Sequence, residues 1–264
     1  MSEAAAQEQL AQTIETPPTP AAPAETARGF YSLQSLAGTI VIAVFVITFV
    51  VQAFQIPSES MEKTLLIGDY LLVDKAHYGH SRVWSWLLPY RPIRRQDIIV
   101  FRYPVNPHQH FVKRVVAIPG DHVRLVDKHV YVNGVRQNDS YAIFRSAWHD
   151  DFRDEFPDGG LYGDRNSAAW LRQARKLTED GELIVPEDSY FVLGDNRDDS
   201  YDSRYWGFVP RENVVGRPLV IYWSMDRSDG AVASAASDKL SSLTLNVTQW
   251  LNSFRWSRML RVPQ

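Results

Sequence analysis

Phe111-Val112-Lys113-Arg114-Val115-Val116-Ala117-Ile118 is the stretch that sorts this chain into a class. β-branched and aromatic residues crowd it, and it runs into the turn residues Pro119-Gly120-Asp121, so His110–Ile118 reads as a strand. Alternate residues of a strand share a face, which places Lys113 with Phe111, Val115 and Ala117. An amine on so apolar a face is desolvated. Its charged form is disfavoured, and its pKa falls towards what a general base needs. The bland alternative is an edge-strand Lys-Arg pair in water, where charge discourages aggregation.

β pattern extends on both sides. Asp69–Val73 follows Gly68, Asp97–Tyr103 is stopped by Pro104, and His122–Val126 with His129–Val132 forms a hairpin turning at Asp127-Lys128. Asn133-Gly134 marks a second tight turn. Strands return at Ser189–Leu193 and Leu219–Trp223. Between them, residues 139–188 change texture to charges and Gly/Asp clusters, with one helix expected near Ser167–Leu177, and read as an insertion. The expected division is a leader over 1–28, an anchor over 29–55, a first core part over 56–138, the insertion, and a second core part with the C-terminal segment over 189–264. Trp250–Leu260 has the look of an amphipathic closing segment.

The leader is rich in Ala, Pro, Glu and Gln, and has too little apolar surface to offset the entropy of ordering it. No charge separates Arg28 from Glu59, and within that window the 19 residues Leu36–Phe54 are almost wholly apolar. As a helix they would extend about 28 Å, enough to span a bilayer. A cleaved secretion signal would have a basic start, a shorter apolar core and small residues at its end. This run has an acidic leader and closes on Val50-Val51-Gln52-Ala53-Phe54, which predicts an uncleaved anchor. Arg28 before the run against Lys63 and Lys75 after it does not fix the orientation.

Composition narrows the chemistry. The 264 residues carry a net charge of −3 and no cysteine. That excludes a disulfide, a thiolate nucleophile and Cys-ligated zinc, and gives no reason to expect nucleic acid as a partner. His77 with His80, and His108 with His110, lack an obvious third ligand and read as surface residues.

Two further stretches bear on the lysine. Ile56-Pro57-Ser58-Glu59-Ser60-Met61-Glu62-Lys63-Thr64-Leu65 begins where the uncharged run ends. Pro57 stiffens its entry, and two-residue spacing points the Ser58 and Ser60 hydroxyls to one side of an extended chain. Alone it could be a linker or hold a nucleophile. Gly194-Asp195-Asn196-Arg197-Asp198-Asp199-Ser200-Tyr201-Asp202-Ser203-Arg204-Tyr205-Trp206-Gly207 follows an apolar strand. It fails as a calcium loop, because its third position is Arg197 and no Glu closes the ligand set. A solvated acidic loop and a buried Asp–Arg network holding a serine both remain open.

Together these pieces resemble the bacterial type I signal peptidases, membrane-anchored Ser-Lys proteases that trim exported preproteins. Five blocks match in order: Pro57–Leu65; Gly68–Lys75 with Tyr78-Gly79; Asp97–Tyr103; Val112–Asp121; and Gly194–Pro210. Lys63 departs from the family, which often has Pro there. The resemblance implies a mainly β fold of two packed antiparallel sheets with a smaller insertion, behind one N-terminal transmembrane helix. It implies Ser60 as nucleophile and Lys113 as general base, without metal or cofactor. Ser58 would join the Ser60 N–H in an oxyanion hole, and Ser200 would orient the Lys113 amine. Arg114 with Asp195, and Asp202 with Arg204, would be supporting ion pairs.

By the same resemblance the substrates are signal-peptide-bearing preproteins with small residues at the first and third positions before the cut. Phe54, Ile56, Met61, Leu65, Leu71 and Val112 would line the pockets. The implied setting is the bacterial cytoplasmic membrane near the export translocon, single-pass, with the catalytic part on the outer face. Trp84 and Trp86, followed by Arg91, Arg94 and Arg95, suggest a second contact with membrane lipid. Two rivals stand beside this reading. One is a soluble self-cleaving Ser-Lys repressor-type protease, which the run Leu36–Phe54 argues against. The other is a membrane-tethered β module that binds export substrates without cutting, which has no need of a buried lysine beside paired serines.

Overall fold

The computed structural model describes residues 25–78, 90–158, 168–226 and 253–264, and from Val46 onward the chain is organised on two antiparallel sheets. The larger has seven strands in the order β1 (Val51–Gln55), β2 (Asp69–Asp74), β12 (Val214–Ser224), β3 (Ile98–Arg102), β4 (His110–Ala117), β10 (Ser189–Leu193) and β11 (Val209–Pro210). The smaller runs β7 (Val135–Arg136), β6 (His129–Val132), β5 (His122–Val126), β9 (Glu182–Ile184) and β8 (Thr178–Glu179).

The short turns are chemically specified. Asp127 and Lys128 join β5 to β6 with φ of +48° and +70°, and Asn133 and Gly134 join β6 to β7 at +52° and +75°. Paired positive φ values give the mirror-image turn whose twist matches that of the flanking strands. Part of the expected insertion belongs to the second sheet. A helix over Ala168–Leu177 leads into β8 and β9, and β9 pairs with β5 at His122↔Ile184.

Apolar side chains bind the sheets together. Val116, Ala117, Phe191 and Leu193 of the large sheet pack with Val123, Leu125, Val130 and Leu183 of the small one. A second cluster joins Ile99, Phe101, Val115, Val192 and Trp206, and a third joins Ile56, Met61, Leu65, Leu71, Val100 and Ile221. Lys113 stands opposite Ile99 in the β3–β4 ladder, with Phe101 opposite Phe111. The apolar face expected around this lysine is therefore shared by two strands.

The expected anchor needs correcting at its C-terminal end. The α-helix Glu25–Phe45 stops at Phe45, and a π-helical turn, Val46–Val50, follows it. Val51–Gln55 is then a strand, paired with β2 from Val51↔Asp74 to Gln55↔Tyr70. Five residues read as the end of a membrane helix instead satisfy their backbone groups in a sheet, as β-branched and aromatic residues readily do. Among the described residues no helix is long and apolar enough to cross a membrane. The helix carries exposed Leu36, Ile40, Val41, Ile42 and Val44. Most of the leader, and Trp84 and Trp86, lie outside the described residues.

Candidate active site

The third apolar cluster carries a turn of chain with a reactive face. Ile56 is buried, Pro57 leads into a 3-10 turn over Glu59–Met61, and Met61 and Leu65 anchor it from beneath. Ser60 is thereby presented at the end of the cluster, only 8% exposed. The donors at the start of such a turn have no partner within it, which leaves the Ser60 N–H available. The Ser58 and Ser60 hydroxyls lie 3.3 Å apart.

β4 supplies the lysine. The Lys113 amine is in direct hydrogen-bond contact with Ser60 Oγ. Lys113 is 4% exposed, and its nitrogen lies 5.7 Å from the centre of the Phe111 ring. Burial brings the amine down from 10.5 to about 8, with the Asp202 carboxylate opposing that fall and the Arg204 guanidinium adding to it. A substantial neutral fraction near neutral pH gives it a free lone pair beside an alcohol.

The loop after β10 braces both groups. Asn196 donates its backbone N–H to the Ser60 carbonyl at 3.1 Å. Asp195, fully buried, accepts from Arg114 Nε at 2.8 Å, Arg114 Nη2 at 2.7 Å and Thr64 Oγ1 at 2.5 Å. The Arg114 guanidinium lies 4.0 Å from the centre of the Tyr141 ring. Asp202 accepts from Arg204 Nε at 2.9 Å and Nη2 at 2.8 Å, and from the Gly194 N–H at 3.1 Å. Burial would raise the Asp202 pKa, but the Arg204 charge together with the hydrogen bonds from Arg204 and the Gly194 N–H outweighs it and holds the carboxyl below its usual value. Fork-shaped pairs of this kind fix direction as well as charge.

Ser200 is buried against Gly194, where an added Cβ would stand 2.2 Å from its Oγ. Its hydroxyl faces Asp202 and favours the charged carboxylate, yet closes no hydrogen bond with it. Among the described residues no hydrogen bond joins Ser200 to Lys113 either.

A cleft of about 560 Å³ opens at Ser60 and Lys113. Phe54, Ile56, Met61 and Val112 line it, whereas Leu65 and Leu71 do not. Both leucines are fully buried behind the lining, where they support Ile56 and Met61. Ile67, His110, Asp199 and Tyr201 also line the cleft and escaped sequence reasoning. His110 is exposed, as a surface residue should be, yet its ring lies 5.3 Å from that of Phe54 at the rim of the cleft, and partial burial lowers its pKa. These side chains come from separate parts of the chain, and no local pattern announces that they meet. Lys63 adopts φ +77° and donates Nζ to the Ser140 carbonyl at 2.9 Å. Proline cannot take up that φ.

Comparison with known proteins gives the family of the chain. The family model described as "Signal peptidase, peptidase S26" matches residues 30–223. A signal peptidase I of Aquifex aeolicus is 37% identical over 241 residues, covering 78% of this chain and 87% of the relative. A signal peptidase I of Leptolyngbya laminosa is 34% identical, covering 81% of this chain and 91% of the relative. Among solved structures, a signal peptidase I of Enterococcus faecalis is 34% identical, with a TM-score of 0.36, covering 48% of this chain and 97% of its own.

Proposed function

The chain belongs to the signal peptidases of the peptidase S26 family, and from that premise we propose how its residues do the work. The protein is a serine endopeptidase, a signal peptidase I that removes signal peptides from preproteins. Ser60 Oγ attacks the scissile carbonyl carbon while its proton passes to the neutral Lys113 amine. The oxyanion is held by the Ser60 N–H and the Ser58 hydroxyl. As the intermediate collapses, the Lys113 ammonium returns the proton to the departing amine and the signal peptide remains esterified to Ser60. Water, deprotonated by the same amine, then attacks the ester and frees Ser60. Asp202–Arg204 and Arg114–Asp195 keep the loop in place. The unpaired Ser200 hydroxyl, buried beside Gly194, is free to orient the amine during turnover.

The observation that carries this reading is the Lys113 amine, 4% exposed and in contact with Ser60 Oγ. A guanidinium or an exposed lysine in its place would stay charged and could not accept the proton.

Preproteins with small residues at the first and third positions before the cut fit the cleft. Phe54, Ile56, Met61 and Val112 make an apolar wall that rejects bulk by overlap. β1 is an edge strand among the described residues, and the β4 residues 110–113 lie beyond their β10 partner. Both offer backbone groups to an extended peptide. The enzyme acts at the bacterial cytoplasmic membrane, single-pass, with its catalytic part on the outer face, close to lipid and to the export translocon. The uncharged run that follows Arg28, with its exposed apolar helix, supports that setting.

Purified enzyme incubated with a preprotein should release mature product, and Ser60→Ala and Lys113→Ala should each abolish it. Cleavage that persists in both variants removes the dyad.

A further inference from the structure

The family match ends at residue 223, yet the described residues Ser253–Gln264 form a strap against the chain that carries Ser60. The strap pairs with β12 past the residues that β3 covers. Leu260 N–H donates to the Ile221 carbonyl at 2.8 Å, Ile221 N–H to that of Arg261 at 2.9 Å, and Arg255 N–H to that of Ser224 at 3.0 Å. From this seat Arg258 and Arg255 reach the active-site segment, and Gln264 reaches Arg114 beside it. Arg258 Nη2 donates to the Thr64 carbonyl at 3.0 Å and to Asp69 Oδ2 at 2.5 Å, and its Nε to Asp69 Oδ1 at 3.2 Å. Arg255 Nη1 donates to the Ile67 carbonyl at 3.0 Å. The Gln264 carbonyl accepts from Arg114 Nη2 at 3.2 Å.

Thr64 is where these contacts meet the chemistry. Its carbonyl is held by Arg258 and its hydroxyl by Asp195, whose neighbour Asn196 holds the Ser60 carbonyl. Ile67, whose carbonyl is held by Arg255, lines the cleft. Asp69 also takes the Leu66 N–H at 2.9 Å and the Ser224 hydroxyl at 2.6 Å, so the end of this segment is tied down too.

We propose that the strap Ser253–Gln264 is a positioning element for the reaction, with Arg258 fixing the Ser60–Asp69 segment through the Thr64 carbonyl. The role depends on Ser60 being the nucleophile. Small displacements of a nucleophile cost rate steeply, so a lost tether should lower kcat before it lowers folding.

Arg258 does two things, and they can be separated. Arg258→Lys keeps a cation for buried Asp69 but cannot serve both Asp69 and the Thr64 carbonyl in the same geometry. With rates normalised to folded protein by circular dichroism, Arg258→Lys should hold its Tm near wild type. Its kcat should fall roughly tenfold, with KM within about twofold. The acid limb of its pH profile should not move, because the surroundings of Lys113 are untouched. Arg258→Ala should lose more kcat and also Tm; should it not fold, the lysine variant carries the test alone. An Arg258→Lys enzyme with wild-type Tm and wild-type kcat overturns the proposal, as does a rate loss matched by loss of folded protein. Ser60→Ala is assayed alongside. If it still cleaves, the nucleophile assignment fails, and the strap proposal fails with it whatever Arg258→Lys does. If only the Arg258 prediction fails, the nucleophile stands.

Discussion

Asn196 holds the carbonyl of Ser60 at 3.1 Å through its backbone N–H, so the nucleophile's turn is fastened to the loop that neutralises and orients its surroundings. The same loop begins with Gly194, whose N–H is taken by Asp202. The Ser60 turn and the loop carrying Asp195 and Asp202 thus share one backbone junction, and small changes there should register in the chemistry.

Gly194→Ala tests that junction. A Cβ at this position would stand 2.2 Å from Ser200 Oγ and 2.4 Å from the Ser60 carbonyl oxygen. The hydroxyl can rotate away, but the carbonyl belongs to the backbone and cannot yield without moving Ser60. Overpacking of this kind costs about 1–3 kcal/mol. We expect a Tm lowered accordingly and cleavage reduced by about 100-fold, since a displacement near 1 Å suffices for that. Wild-type rates in this variant would show that the junction does not set the nucleophile's position.

The rate should rise with pH through the Lys113 pKa of about 8, because only the neutral amine accepts the proton. Stability carries the same signature. The folded-state pKa lies below the unfolded value near 10.5, so between about 8 and 10.5 the unfolded chain binds more protons and stability increases with pH. Below pH 8 the buried ammonium exerts its full cost. Lys113→Met removes that cost with a side chain of similar shape, and should give an inactive enzyme more stable by about 1–3 kcal/mol at pH 7. Thermal unfolding at pH 7 and pH 10 checks both: the advantage of the variant should shrink at the higher pH. A loss of stability at pH 7 would contradict a desolvated amine.

Lys63 makes a test against family expectation. Its φ of +77° is open to glycine and closed to proline, although the family often has proline there. Lys63→Gly should therefore leave the stability within about 1 kcal/mol of wild type. Lys63→Pro should destabilise by about 3 kcal/mol and disturb the turn three residues before it. A proline variant as stable and active as wild type would mean that the turn readily adopts another backbone.

What could be read from the residues, and what could not, follows the range of the interactions. Alternation and spacing over a few residues place Lys113 on an apolar face and Ser58 with Ser60 on one side, but their roles come only with the resemblance of whole blocks to the family. The β5–β6 and β6–β7 turns declare themselves through Asp127-Lys128 and Asn133-Gly134. Val51–Gln55 was hidden because a strand and the tail of an apolar helix have similar composition, and its partner β2 lies well downstream. Leu65 and Leu71 look like pocket residues by type, but the fold buries them one layer behind the lining. Thr64 sits inside a matched block with no role of its own to be read there, and Arg258 lies outside every matched block. Their importance arises from contacts 131 and 194 residues apart in sequence, which no local window contains.

Asp202 offers the sharpest test of the electrostatics around the base. Its carboxylate raises the Lys113 pKa, while Arg204 lowers it, and the two are locked together by paired hydrogen bonds. Asp202→Asn removes the stabilising charge and leaves the buried guanidinium uncompensated, both of which favour the neutral amine. The acid limb of the pH profile should move below 8, while the fold loses about 3–5 kcal/mol for the unpaired Arg204. Adding Arg204→Met to Asp202→Asn removes the stranded charge. The double variant should recover part of the lost Tm, and its acid limb should lie between those of Asp202→Asn and wild type, because the arginine no longer repels the ammonium. Rate profiles of the three enzymes and their thermal unfolding decide it. An acid limb that stays in place in Asp202→Asn, or moves to higher pH, would mean that this pair braces the loop without setting the charge of the base.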